Sequence, residues 1–144
     1  MIIMAVDLGR ARTGLAVCDS GEMLASPLCV IEEHNEERLV NKICEKAKES
    51  GAQLLCVGLP RNMDGSEGES ALHARELAAL ISDKSGLETV MRDERCTTIT
   101  AHGYLNTVDV RGKKRKAVVD AVAATIILQD YLDYRRNNKK NEEN

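Results

Sequence analysis

Ile2-Ile3-Met4-Ala5-Val6-Asp7-Leu8-Gly9-Arg10-Ala11-Arg12-Thr13-Gly14-Leu15-Ala16-Val17-Cys18 is the stretch on which the reading of the fold turns. Residues 2 to 6 are all apolar, the pattern of a strand buried on both faces in the middle of an α/β sheet. Asp7 closes that run, where the carboxyl ends of strands in open α/β sheets gather ligands. Asp before a nearby glycine is equally ordinary turn chemistry. Gly9 to Gly14 then forms a glycine-bounded loop bearing Arg10 and Arg12, and Leu15 to Cys18 reads as a second short strand. The two glycines have the spacing of a phosphate-cradling Walker loop, but Leu15 follows where that motif needs Lys and then Ser or Thr.

Working outward, Ser20-Gly21 makes a turn into a third strand from Leu24 to Ile31, and Pro27 within it favours a sheet edge. Three strands in a row with short connections predict an antiparallel meander. The periodicity then changes. Asn35 can cap a helix with Glu36 and Glu37 in its first turn, an apolar stripe of Leu39, Ile43 and Ala47, and a stop at Gly51. Leu54 to Leu59 is a buried strand ended by Pro60. A loop at Arg61-Asn62-Met63-Asp64-Gly65 leads to Ser66-Glu67-Gly68-Glu69, a capping-box pattern opening a helix to about Ser82. Leu87 to Arg92 gives a fifth strand. A short helix is expected over Thr98 to Leu105, loop from Asn106 to Gly112, and a last helix from about Lys116 to Tyr134. The polar residues Arg135 to Asn144 read as a disordered tail. The expectation is one domain over residues 1–134, an α/β fold with a five-stranded mixed sheet and helices on both faces.

Composition narrows the function. The 144 residues carry a net charge of −3, which argues against general electrostatic coating of nucleic acid, so any such contact requires a local basic patch. Trp and Phe are absent and Tyr occurs three times, leaving little material for a base-stacking platform. The five cysteines are scattered without a C-x-x-C pair, as expected of buried, reduced thiols in a cytoplasmic protein. No apolar run is long enough to span a bilayer, and no signal peptide is visible.

Three acids stand out. Asp120 lies in Ala117-Val118-Val119-Asp120-Ala121-Val122-Ala123-Ala124, on the helix face shared with Ala124, Ile127 and Tyr131. A lone carboxylate there is costly unless it is paired with an arginine or holds a metal. Arg92-Asp93-Glu94-Arg95 follows the fifth strand, and alternation allows at most one of Asp93 and Glu94 to face the side of Asp7. Periodicity leaves open which one. Carboxylates from two strand ends and a helix suit hard cations such as Mg²⁺ or Mn²⁺. Two ions about 4 Å apart could bind a scissile phosphate and activate water. Arg111-Gly112-Lys113-Lys114-Arg115-Lys116 precedes the Asp120 helix, where positive charge conflicts with the helix dipole and a phosphate backbone would relieve the conflict.

Taken together, Ala5-Val6-Asp7-Leu8-Gly9 with Arg12, Thr13 and Gly14, Val57-Gly58-Leu59-Pro60 with Asn62-Met63-Asp64-Gly65-Ser66, Asp93-Glu94-Arg95 with Thr97-Thr98, and Lys114-Arg115-Lys116 with Val119-Asp120-Ala121-Val122-Ala123-Ala124 resemble the YqgF family. The resemblance spans nearly the whole chain, although Cys18 and Cys96 stand where other small or apolar residues are expected. It implies a ribonuclease H-like fold shared with RuvC-like resolvases. It also implies catalytic, metal-holding carboxylates at Asp7, Glu94 and Asp120, with Glu94 preferred over Asp93 by that likeness alone. Arg10, Arg12, Lys113, Lys114, Arg115 and Lys116 become candidate substrate contacts. The activity implied is metal-dependent cleavage of structured nucleic acid, with maturation of the pre-16S ribosomal RNA 5′ end favoured and Holliday junction resolution second. The partner is then nucleic acid rather than membrane, and the protein a monomer or weak homodimer. Two other classes stay in view: a nucleotide-binding module of the actin-like kind, which needs two such domains, and a non-catalytic RNA-binding assembly factor.

Overall fold

A computed structural model describes residues 1–93 and the helix backbone of 112–143, with side chains described for 1–93 and 122–138. The elements in chain order are β1 (Ile3–Leu8), β2 (Arg12–Cys18), β3 (Ala25–Glu32), α1 (Glu36–Ser50), β4 (Leu54–Leu59), α2 (Glu69–Ser85), β5 (Glu88–Asp93) and α3 (Gly112–Glu143). They build one five-stranded sheet in the order β3-β2-β1-β4-β5. β1, β2 and β3 pair antiparallel, and β4 runs parallel to both β1 and β5. The meander, the mixed sheet and its layering agree with the sequence.

The apolar run of β1 is explained by its central place, because each of its faces meets a different core. Met4 and Val6, with Leu55 and Val57 of β4, pack against Leu39, Val40 and Ile43 of α1 and Leu77 and Ile81 of α2. Ile3 and Ala5, with Leu54 and Cys56, pack against Ala124, Ile127, Leu128, Tyr131 and Leu132 of α3. Side chains alternate across a strand, so odd-numbered positions of β1 and even-numbered positions of β4 and β5 look toward α3. Pro27 does lie on the edge strand, at a bulge. Cys29 faces Leu15 while Pro27 faces Ala16, which leaves Leu28 as the extra residue.

The first helix is capped as expected: Asn35 Oδ1 accepts from the Arg38 amide at 2.9 Å, and Gly51 closes the helix at φ 74°. The second is not. α2 begins at Glu69 behind Gly68, with no side-chain cap. The expected box fails because its serine has other partners. Ser66 Oγ, the oxygen that would accept from the helix, accepts from Asn62 Nδ2 at 2.9 Å and donates to Asp64 Oδ1 at 2.6 Å. α3 also departs from expectation at both ends. It starts at Gly112, so Lys113 to Lys116 fall within the helix rather than in a preceding loop, and its first turn carries no acid. It continues through residues 135–143, which composition assigned to a disordered tail. Arg135 gives the reason, donating from Nε to Glu22 Oε1 at 2.6 Å and tying the helix to the β2–β3 turn. The helix expected over Thr98 to Leu105 and the loop from Asn106 to residue 111 lie outside the described residues.

Candidate functional site

Asp7 is placed by β1 near the carboxyl edge of the sheet, opposite Gly14 of β2. Its odd position turns it toward the face covered by α3. The next strand outward continues the row: Val6 pairs Val57, so the residue beside Asp7 on β4 is Gly58, and Gly58 pairs Arg92 of β5. Asp7 is therefore half-buried between two strand positions that carry no side chain. Glycine inside a strand often marks a close approach by another group, and here two such positions flank one acid.

The turn after Asp7 is tight. The Gly9 amide donates to the Arg12 carbonyl at 2.9 Å, and a Cβ on Gly9 would stand 2.3 Å from that oxygen. Arg10 is consequently held at the exposed tip of the β1–β2 turn. Arg12 lies at the start of β2, with its Nε donating to Glu32 Oε1 at 3.0 Å. Only Arg10 of the pair therefore has its charge uncommitted to an ion pair among the described residues.

The two acids at the end of β5 are separated by the sheet. Asp93 is the residue after Arg92, so it looks toward the α1/α2 layer, and its Oδ2 stands 4.0 Å from Arg61 Nη1. Arg92 looks the other way, toward α3, where Nη2 donates to Asp130 Oδ2 at 2.5 Å. The Arg92 guanidinium also lies over the rings of Tyr131 and Tyr134, 5.8 and 4.9 Å from their centroids. This arginine–tyrosine–aspartate cluster was not anticipated. Arg92 is far in sequence from Asp130, Tyr131 and Tyr134, and only docking of α3 brings them together.

Glu94 and the side chains of Asp120, Lys113, Lys114, Arg115 and Lys116 lie outside the described residues. What is described is the helix carrying them: Asp120 stands one turn before Ala124, on the face whose Ala124, Ile127 and Leu128 are buried against the sheet. Among the described residues, no three His, Cys, Asp or Glu side chains gather into a metal-binding group. No described helix is long and apolar enough to cross a membrane. Cys18, Cys29, Cys44 and Cys56 are free thiols, and burial pushes the Cys56 thiol up to about 12.

Comparison with known proteins agrees with this architecture. The RuvX family, described as Holliday junction resolvase, matches residues 1–134. A relative from Chloroflexus aurantiacus, named as a candidate pre-16S rRNA nuclease, is 39% identical over 95% of this chain and 90% of its own. Relatives of the same name from Nitrosospira multiformis and Clostridium beijerinckii are 38% and 37% identical, each over 92% of this chain. Among solved structures, Thermus thermophilus RuvC in complex with a Holliday junction substrate superposes with a TM-score of 0.61 at 14% identity. The match covers 95% of this chain and 96% of that one. The fowlpox virus resolvase bound to junction DNA gives 0.55 at 11% identity, over 93% and 98%. These two structures establish the shared ribonuclease H-like fold.

Proposed function

The chain belongs to the RuvX (YqgF) family of nucleases, and from that premise we propose that it hydrolyses phosphodiester bonds of structured RNA, with the 5′ end of pre-16S ribosomal RNA as substrate. The observation that carries the site is Asp7 between Gly14 and Gly58, on the sheet face that α3 covers. An all-oxygen donor set beside two side-chain-free positions fits a hard divalent cation such as Mg²⁺ or Mn²⁺.

Two geometric arguments support Glu94 and Asp120 as its companions. Asp93 faces the α1/α2 layer, so continued alternation along β5 would give the following residue, Glu94, to the face of Asp7. For Asp120 the argument is one of length. Arg135 bonds Glu22, which also takes the amine of Met1, so that part of α3 lies at the amino edge of β1. Asp120 is about 22 Å back along the helix at 1.5 Å per residue. From Met1 to Asp7, β1 rises about 20 Å at 3.3 Å per residue. The helix is thus long enough to bring Asp120 level with Asp7.

In the mechanism these three carboxylates would hold the cation, which would supply an activated water and offset charge at the scissile phosphate. Water adds to phosphorus as one P–O ester bond breaks, leaving a phosphate monoester and a hydroxyl. Arg10 and Arg12 contact the backbone on the β1–β2 side, and Lys113, Lys114, Arg115 and Lys116 do so from the amino end of α3. The protein works as a monomer or weak homodimer in the cytoplasm, where ribosomes mature.

The test is cleavage of pre-16S 5′-end RNA and of four-way DNA junctions with Mg²⁺ or Mn²⁺. Asp7→Asn, Glu94→Gln and Asp120→Asn should each lower kcat at least a hundredfold, whereas Asp93→Asn should change it less than threefold. Equal loss in Asp93→Asn would overturn the assignment of the faces. The RuvX description favours a second substrate, the junction itself. Cutting of junctions but not RNA, by a dimer in solution, would make that the function. RNA binding without metal-dependent cutting would instead leave an assembly factor.

A further inference from the structure

The β4–α2 loop holds an arginine whose donors make no hydrogen bond among the described residues. Arg61 follows Pro60 at the carboxyl end of β4, the strand beside Asp7, so it emerges at the same edge of the sheet. The loop around it is braced from within. The Asn62 amide donates to the Ser66 carbonyl at 2.9 Å, the Gly65 amide to the Asn62 carbonyl at 2.8 Å, and Asn62 Nδ2 to Ser66 Oγ at 2.9 Å.

Arg61 itself makes no hydrogen bond among the described residues. Its Nε is shut off from solvent with no acceptor. Its terminal nitrogens stand 3.8 Å from Glu67 and 4.0 Å from Asp93, too far for hydrogen bonds. Glu67 is engaged elsewhere, accepting from Arg75 Nε and Nη2 at 2.7 and 3.0 Å. The side chain nonetheless remains one-third exposed. A guanidinium presents five donors in a flat fork, and leaving them unmade costs more than making them gains. The two carboxylates are near enough to orient the fork and too far to saturate it. A phosphate offers the matching pair of oxygens.

We propose that Arg61 is a substrate-binding residue that grips a backbone phosphate of the RNA on the β4–α2 side of the cleavage site. The contact is with phosphate alone and carries no base preference. It lies across Asp7 from the Arg10 turn, so the two arginines would hold the strand on either side of the reacting bond. This inference rests on the nuclease reading above.

The experiment compares wild type, Arg61→Gln, Arg61→Lys and Lys48→Gln on a pre-16S 5′-end RNA fragment. Lys48, in the last turn of α1, matches the charge change of Arg61→Gln at a site away from the edge. Binding is measured with Ca²⁺ replacing Mg²⁺ across a salt series, and cleavage with Mg²⁺. Arg61→Gln should raise KM about tenfold with kcat within twofold, and flatten the slope of log Kd against log salt by about 0.7 to 0.9. Arg61→Lys should keep the slope while losing about threefold in affinity, because it keeps the charge and loses the fork. Lys48→Gln should match wild type. An unchanged slope in Arg61→Gln, or a fall in kcat without a rise in KM, overturns the proposal. If Arg61→Gln does not fold, Arg61→Lys decides: affinity equal to wild type refutes a fork-specific contact. Wild type that neither binds nor cuts the RNA would defeat the nuclease reading first, and this inference with it.

Discussion

A methyl group on Gly9 would meet the Arg12 carbonyl oxygen at 2.3 Å, so the turn that follows Asp7 admits no side chain. Gly9→Ala must open that turn, and overpacking of this kind costs about 1–3 kcal/mol. Urea unfolding should show that loss, and cleavage should fall more than tenfold as Asp7 shifts. Undiminished stability would mean that the turn relaxes freely. Cys56 makes a second residue-scale case. With its thiol pushed up to about 12 by burial, it should resist alkylation at pH 8 in the native protein and react only on unfolding. Rapid native labelling of Cys56 would contradict the packing of β4 against α3. At this scale the sequence singles out residues that are out of keeping with their neighbours, as Asp7 and Asp120 are. Arg61 went unnoticed because an arginine after Pro60 looks like any loop arginine. Its significance is the absence of a hydrogen-bond acceptor among the described residues, which is a property of surroundings.

Among the elements, the β2–β3 turn and the far end of α3 are joined by one carboxylate. Glu22 accepts from Arg135 and from the amine of Met1, and these partners hold its carboxyl below the usual range, with Arg135 the larger cause. A carboxyl whose folded pKa is depressed stabilises the fold above its unfolded value. That contribution is lost as pH falls through the lower, folded value. Glu22→Gln should therefore cost about 1–2 kcal/mol at pH 7, as for a charge-assisted hydrogen bond. The gap from wild type should shrink as the pH drops below the ordinary glutamate range. Thermal melts at pH 7 and in acid would check this, and a gap independent of pH would assign the loss to packing instead. Helix α2 shows the limit of motif reading at this scale: Ser66 is a good cap in sequence, yet its oxygen accepts from Asn62 Nδ2 within the loop instead.

For the whole molecule, α3 is the member that closes the second core. Leu132 is fully buried against the sheet, and Leu132→Ala should destabilise by about 2–5 kcal/mol in denaturant unfolding. Removing residues 135–144 should cost about 1–2 kcal/mol by releasing Glu22. A merely disordered tail could be removed without loss, so an unchanged melting temperature would restore that earlier expectation. Buried runs, turn residues and helix stripes determined the order of strands and helices, the antiparallel meander and the edge place of Pro27. These depend on periods of two and 3.6 residues within one segment, which the chain carries locally. Which faces Asp7 and Asp93 look toward, which glycines flank Asp7, and how far α3 extends depend on register between segments distant in sequence. Only the packed sheet could decide them, because a shift of one residue in register exchanges the faces without altering the local pattern.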